Sequence, residues 1–111
     1  MRQLALADIN LSAVQTAAKE IESSFPGVEA IAIQTDATSE SSINDAVAET
    51  IRRFGRIDFA VNSAGIGGTL AVSTESSVDA WSKTLDLNLT GVWMSSRAEI
   101  RVMLQQEKLT E

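Results

Sequence analysis

The feature that most constrains this chain is an alternation of short apolar runs with stretches of helical periodicity. The runs are Leu4-Ala5-Leu6-Ala7, Ala30-Ile31-Ala32-Ile33 and Ile57-Asp58-Phe59-Ala60-Val61. The first two read as buried strands and the third as a further strand. Between the first two runs, Leu11, Val14, Ala18, Ile21 and Phe25 recur on one helical face. Asn10 is the expected N-cap of that helix, and Pro26-Gly27 stops it. A second stripe, Ile43, Val47, Ile51 and Phe54, predicts a second helix, capped by Thr38 or Ser39 and closed by Gly55. Asn62 to Gly68 reads as a flexible turn. Beyond it, helices are expected from about Ser77 to Leu87 and from about Thr90 to Glu107. Gly91 lies inside the latter, where glycine costs ~1 kcal/mol against alanine. A close helix packing, or a bend near Asn88, is expected there. Strand–helix alternation of this kind predicts an α/β fold with a parallel sheet and right-handed crossovers.

Composition narrows the function. The 111 residues fit one small domain of ordinary globular make-up, 44% hydrophobic and 22% charged. The net charge of −6 argues against nucleic acid or an anionic membrane surface as partner, since both select basic patches. No apolar run approaches ~18 residues, so no membrane span is expected. The chain has no Cys and no His, which removes thiolate chemistry, a zinc site and a Ser-His-Asp triad. It also has no Tyr, so no phenol of this chain can donate a proton.

In parallel α/β sheets, ligands bind beyond the carboxyl ends of the strands. Asp8, Asp36 and Asn62 each fall at such an end. Asp8 either accepts hydrogen bonds from an adenosine ribose or simply opens a turn. A ribose contact there favours NAD over NADP, because a carboxylate repels a 2′-phosphate. Asp36 has the same two readings, ligand contact or helix cap. With Thr38 and Ser39 better placed as caps, Asp36 is expected to be free. Gly65-Ile66-Gly67 starts a dinucleotide fingerprint, but Leu70 stands where its third glycine belongs. Ala64 and Gly65 nonetheless suit a turn where backbone approaches a ligand closely.

Four segments taken together resemble the short-chain dehydrogenases/reductases. Val61-Asn62-Ser63-Ala64-Gly65 is similar to that family's Asn-Asn-Ala-Gly motif, with Ser63 in place of the commoner Asn. Asp36-Ala37 resembles its adenine-binding pair, Phe54-Gly55-Arg56-Ile57-Asp58 its approach to the following strand, and Leu87-Asn88-Leu89-Thr90-Gly91-Val92 its Asn-containing helix segment. The resemblance spans nearly the whole chain. It implies a partial Rossmann-type, doubly wound parallel sheet over residues 1–111, with three strands and crossover helices and the family's first strand absent. It implies an NAD or NADP cofactor, held by Asp8 at the ribose, by Asp36 and Ala37 at the adenine, and by the backbones of Asn62, Ala64 and Gly65. Asn88 takes the place of the Asn in the family's Asn-Ser-Tyr-Lys tetrad. The implied activity is oxidoreduction of small alcohols and ketones in the cytoplasm, with homo-oligomers formed through the last helix.

The family's Thr-Gly-x-x-x-Gly-x-Gly phosphate loop and its Tyr-x-x-x-Lys pair do not occur in these 111 residues. Little or no activity is therefore expected of the chain alone. A non-catalytic nucleotide-binding or dimerisation module is the alternative. In the family's strand order the absent strand lies between the Leu4 and Ile57 strands, leaving a gap of roughly 9.6 Å at ~4.8 Å per strand. Either that gap stays open or the two strands close on each other. A marginal fold, or one that depends on a partner, is the expectation.

Overall fold

A computed structural model describes residues 2–110. The terminal positions of the expected 1–111 domain lie outside the described residues. The order is β1 (Arg2–Asp8), α1 (Leu11–Ser24), β2 (Val28–Gln34), α2 (Glu40–Phe54), a short 3-10 turn (Ser73–Glu75), α3 (Val78–Leu85), a π-helical turn (Asp86–Gly91) and α4 (Val92–Met103). β1 and β2 pair in parallel, with Leu4 opposite Ala30 and Asp8 opposite Gln34. This is the expected βαβ unit.

Local chemistry explains the element ends. Asn10 Oδ1 accepts the Ala13 N–H, 3.0 Å away, and starts α1. Ser39, rather than Thr38, caps α2 by accepting the Ser42 N–H. Gly55 ends α2 in the left-handed region at φ 85°, as expected. The core is small: Val14 and Ala18 of α1, Ala30 and Ile31 of β2, Ile43 of α2 and Ala98 of α4. α1 packs on β2, and α2 packs on α4. No helix among the described residues is long and apolar enough to cross a membrane.

Three expectations are corrected. Ile57–Val61 bends at Asp58 and forms no ladder, so the sheet has two paired strands rather than three. Phe59 and Val61 are 91% and 88% exposed, because no strand lies against them. β1 is not buried: Leu4 and Ala7 are exposed, since its outer edge has no neighbour among the described residues. Phe25 lies off the buried face of α1 and is also exposed. The gap beside β1 is therefore open, the first of the two alternatives.

The shape reflects this. The accessible surface is 8095 Å². A folded monomer of 11.9 kDa is expected to expose about 5,950 Å². The radius of gyration is 16.3 Å, against about 13 Å for a closed domain of this length.

Candidate functional site

The expected site residues occupy the carboxyl edge of the sheet and the turns beside it. The Thr35 N–H donates to Asp8 O at 2.9 Å, so the sheet continues one step past β2 and sets Asp8 beside the start of the 35–39 turn. Asp8 Oδ1 accepts the Asn10 N–H at 2.8 Å. This aspartate therefore opens a turn, the plainer of its two readings, while remaining exposed at the sheet edge.

Asp36 is not free. Its Oδ1 accepts the Thr38 hydroxyl at 2.6 Å and the Thr38 N–H at 2.9 Å. The hydroxyl bond, seconded by the backbone bond, holds the Asp36 carboxyl below its ordinary value. Ser39 rather than Thr38 takes the cap, and that leaves the Thr38 hydroxyl to the aspartate. The Asp36 N–H donates to Ser42 Oγ at 2.8 Å, fixing the turn to the first turn of α2.

Ala37 meets the far end of the chain. A Cβ on Gly91 would come closer to Ala37 O than the 3.0 Å that real Cβ atoms keep. Gly91 is buried and closes the π-helical turn that carries Asn88. Of the two alternatives expected there, the close approach is found, made to the 36–37 turn rather than to a helix, beside a π-helical irregularity in the chain.

Asn88 then holds the 62–68 segment. Its Oδ1 accepts the Ile66 N–H and its Nδ2 donates to Ile66 O, both at 2.8 Å. The side chain thus imitates a paired strand residue, and the supposedly flexible turn is tied at its centre. A Cβ at Gly65 would lie 3.2 Å from Asn88 Oδ1, so the clamp presses on Gly65. The Asn62 side chain turns the other way. Its Nδ2 donates to Glu99 Oε2 at 2.8 Å and to Ser96 Oγ at 3.2 Å on α4. Burial pushes the Glu99 carboxyl up, and the Asn62 bond partly opposes it. Ala64 is exposed.

A continuous line of contacts therefore runs from Asp8 through Thr35, Asp36, Ala37, Gly91 and Asn88 to Gly65. Sequence reasoning missed the Asn62–Ser96–Glu99 cluster. Its signal was the three-residue spacing of Ser96 and Glu99, which puts both on one face of a helix. It also missed Gln106, whose amide bonds the Ile57 N–H and carbonyl at 2.7 and 2.8 Å. No group of acidic side chains suited to a metal occurs among the described residues.

The family model described as short chain dehydrogenase matches residues 2–108. This chain belongs to the short-chain dehydrogenase family. A short-chain dehydrogenase of Neurospora crassa is 37% identical over 110 residues, which are 96% of this chain and 40% of that protein. The crystal structure of an NAD+-bound xylitol dehydrogenase superposes with a TM-score of 0.88 at 34% identity, covering 94% of this chain and 39% of that one. An actinorhodin polyketide ketoreductase with NADPH superposes with a TM-score of 0.84 at 28% identity, over 91% of this chain and 38% of that one. The chain spans about 40% of the length of these relatives. The Rossmann-like α/β fold expected from the sequence is thus the fold of the family.

Proposed function

We propose that this chain provides the adenosine-side surface of an NAD(P) site and the Asn88 clamp of a short-chain dehydrogenase, and that it does not turn over alone. The carrying observation is the single line of contacts from Asp8 to Gly65 along the carboxyl edge of the sheet. A fit is supported by two exposed or half-exposed carboxylates at adjacent strand ends, each fixed by a local turn through one oxygen. Their second oxygens carry no hydrogen bond among the described residues. In this reading Asp8 accepts the ribose hydroxyls, Asp36 and Ala37 take the adenine, and the backbones of Asn62, Ala64 and Gly65 line the site. The bound cofactor supplies the hydride carrier for alcohol–ketone interconversion. Asn88 holds Gly65 and Ile66 in place beside it. The negative charge of Asp8 favours NAD. No phenol is present to protonate a carbonyl oxygen, so the proton step falls outside this chain. The reading places the chain in the cytoplasm.

Titration with NADH, followed by fluorescence, tests the reading. Without a phosphate loop the expected affinity is no better than millimolar, about −4 kcal/mol, and weaker still for Asp36→Ala. Micromolar binding, or equal binding by the variant, contradicts it. A homo-oligomer through the last helix is a second reading. It is favoured by the exposed Trp93, Ile100 and Leu104 on and beside α4, and sedimentation of Ile100→Lys against the unaltered chain tests it.

A further inference from the structure

The 62–66 segment is tied at two points to one helical stretch. Asn88, in the π-helical turn, holds both backbone groups of Ile66. α4 begins where that turn ends. From one face of α4, Ser96 and Glu99 both accept from Asn62 Nδ2. Between the two ties lie Ser63, Ala64 and Gly65, all exposed. The Asn88 tie presses on Gly65, where a Cβ would lie 3.2 Å from Asn88 Oδ1. The Asn62 tie fixes the point from which the exposed residues start.

Glu99 is the unusual partner in that second tie. It is half-buried, and among the described residues it makes no ion pair. The nearby Arg97 is engaged elsewhere, with Glu40 and the Trp93 ring. The one hydrogen bond of the Glu99 side chain among the described residues comes from Asn62. Burial pushes its carboxyl up, and the Asn62 bond opposes this. Withdrawing a carboxylate from water without a cation is unfavourable. An apolar residue would pack at this position of α4 without that cost. What the carboxylate adds is a charged group that only accepts, whose bonds are shorter and roughly twice as strong as neutral ones. The lengths agree: 2.8 Å from Asn62 to Glu99 against 3.2 Å to the Ser96 hydroxyl.

We propose that Glu99 is a positioning residue for the cofactor: acting through the Asn62 amide, and aided by Ser96, it fixes the Asn62–Gly65 backbone that lines the NAD(P) site. The inference rests on the reading of that backbone as cofactor-lining. It gives α4 a part in cofactor binding although none of its side chains meets the cofactor in that reading. Asn88 and Glu99 then act as a pair, one at each end of the exposed residues.

The test follows the full chain by NMR, first alone and then with NADH added to millimolar concentration. Glu99→Ala and Glu99→Leu both remove the acceptor and keep a good helix former; the leucine also keeps the bulk. Glu99→Gln keeps the acceptor. In the chain alone, the first two variants are expected to move the Asn62 side-chain amide and the backbone amides of Ser63, Ala64 and Gly65. The glutamine variant restores them. With NADH, the alanine and leucine variants bind roughly threefold to tenfold more weakly, the loss of one hydrogen bond, and the glutamine variant binds as the unaltered chain does. Gln106→Ala frees Ile57 instead and is expected to leave NADH binding unchanged. The proposal is overturned if alanine and leucine leave residues 63–65 unmoved, if glutamine fails to rescue, or if Gln106→Ala weakens NADH equally. If NADH moves residues 62–65 alike in every variant, the cofactor reading stands and this inference alone falls. If NADH moves none of them even in the unaltered chain, the cofactor reading fails and takes the inference with it.

Discussion

Gly91→Ala isolates the contact that joins the two halves of the candidate site. The new methyl would enter the space of the Ala37 carbonyl and also lie 3.2 Å from Asp86 O. Both obstacles are backbone, so no side-chain rotation relieves them. Overpacking of this kind costs about 1–3 kcal/mol, and the absence of a flexible neighbour points to the upper end. Alanine in place of glycine within a helix returns about 1 kcal/mol. The net expectation is a loss of about 2 kcal/mol, or roughly 8–16 °C in melting temperature for a domain of this size. Gly67→Ala is the matched control, because nothing lies within 4 Å of its Cβ and its φ is not in the left-handed region. It is expected to be neutral or slightly stabilising. Thermal and urea unfolding followed by circular dichroism measure the pair. If Gly91→Ala is as stable as Gly67→Ala, the 36–37 turn and the π-helical turn are not in contact, and the line of contacts from Asp8 to Gly65 is broken at its middle.

Asn88→Ala removes both bonds to Ile66 and is expected to cost about 1 kcal/mol, with faster amide exchange at Ile66; unchanged exchange there would refute the clamp. Asn88→Asp keeps the acceptor but not the donor, so it should protect the Ile66 N–H while freeing its carbonyl. Glu99 supplies a pH dependence of known sign. Its folded pKa is raised by burial, so the folded chain binds more protons than the unfolded one between the ordinary and the raised value. Stability should therefore fall as pH rises through that window. Glu99→Gln, which can still accept from Asn62, should remove that part of the pH dependence; an unchanged stability–pH curve would show that Glu99 does not carry it.

The βα alternation, the Asn10 cap and the Gly55 ending were legible, because each is fixed by residues adjacent in sequence or by a conformation only glycine takes easily; the close approach at Gly91, which is in ordinary helical conformation, was signalled only by a glycine inside a helical stretch. Two other features were not. The pairing of Ile57–Val61 depends on what lies beside it, and four apolar residues around Asp58 read the same whether or not a neighbour strand exists. The state of Asp36 depends on which of two adjacent hydroxyl residues caps α2. Thr38 and Ser39 are both residue types that cap helices. Only the geometry gives Ser39 the helix and Thr38 the aspartate. The Asn62 and Gln106 ties escaped notice because they join positions 34 to 49 residues apart.

The same contrast bears on how the site and the fold relate. The candidate site is built from short-range turns: Asp8 to Asn10, Asp36 to Thr38 and Ser42. Its distant segments are joined by the Thr35–Asp8 bond, by Gly91 against Ala37, by Asn88 to Ile66 and by Asn62 to Ser96 and Glu99. The core beneath it is small, and one edge of the sheet is open.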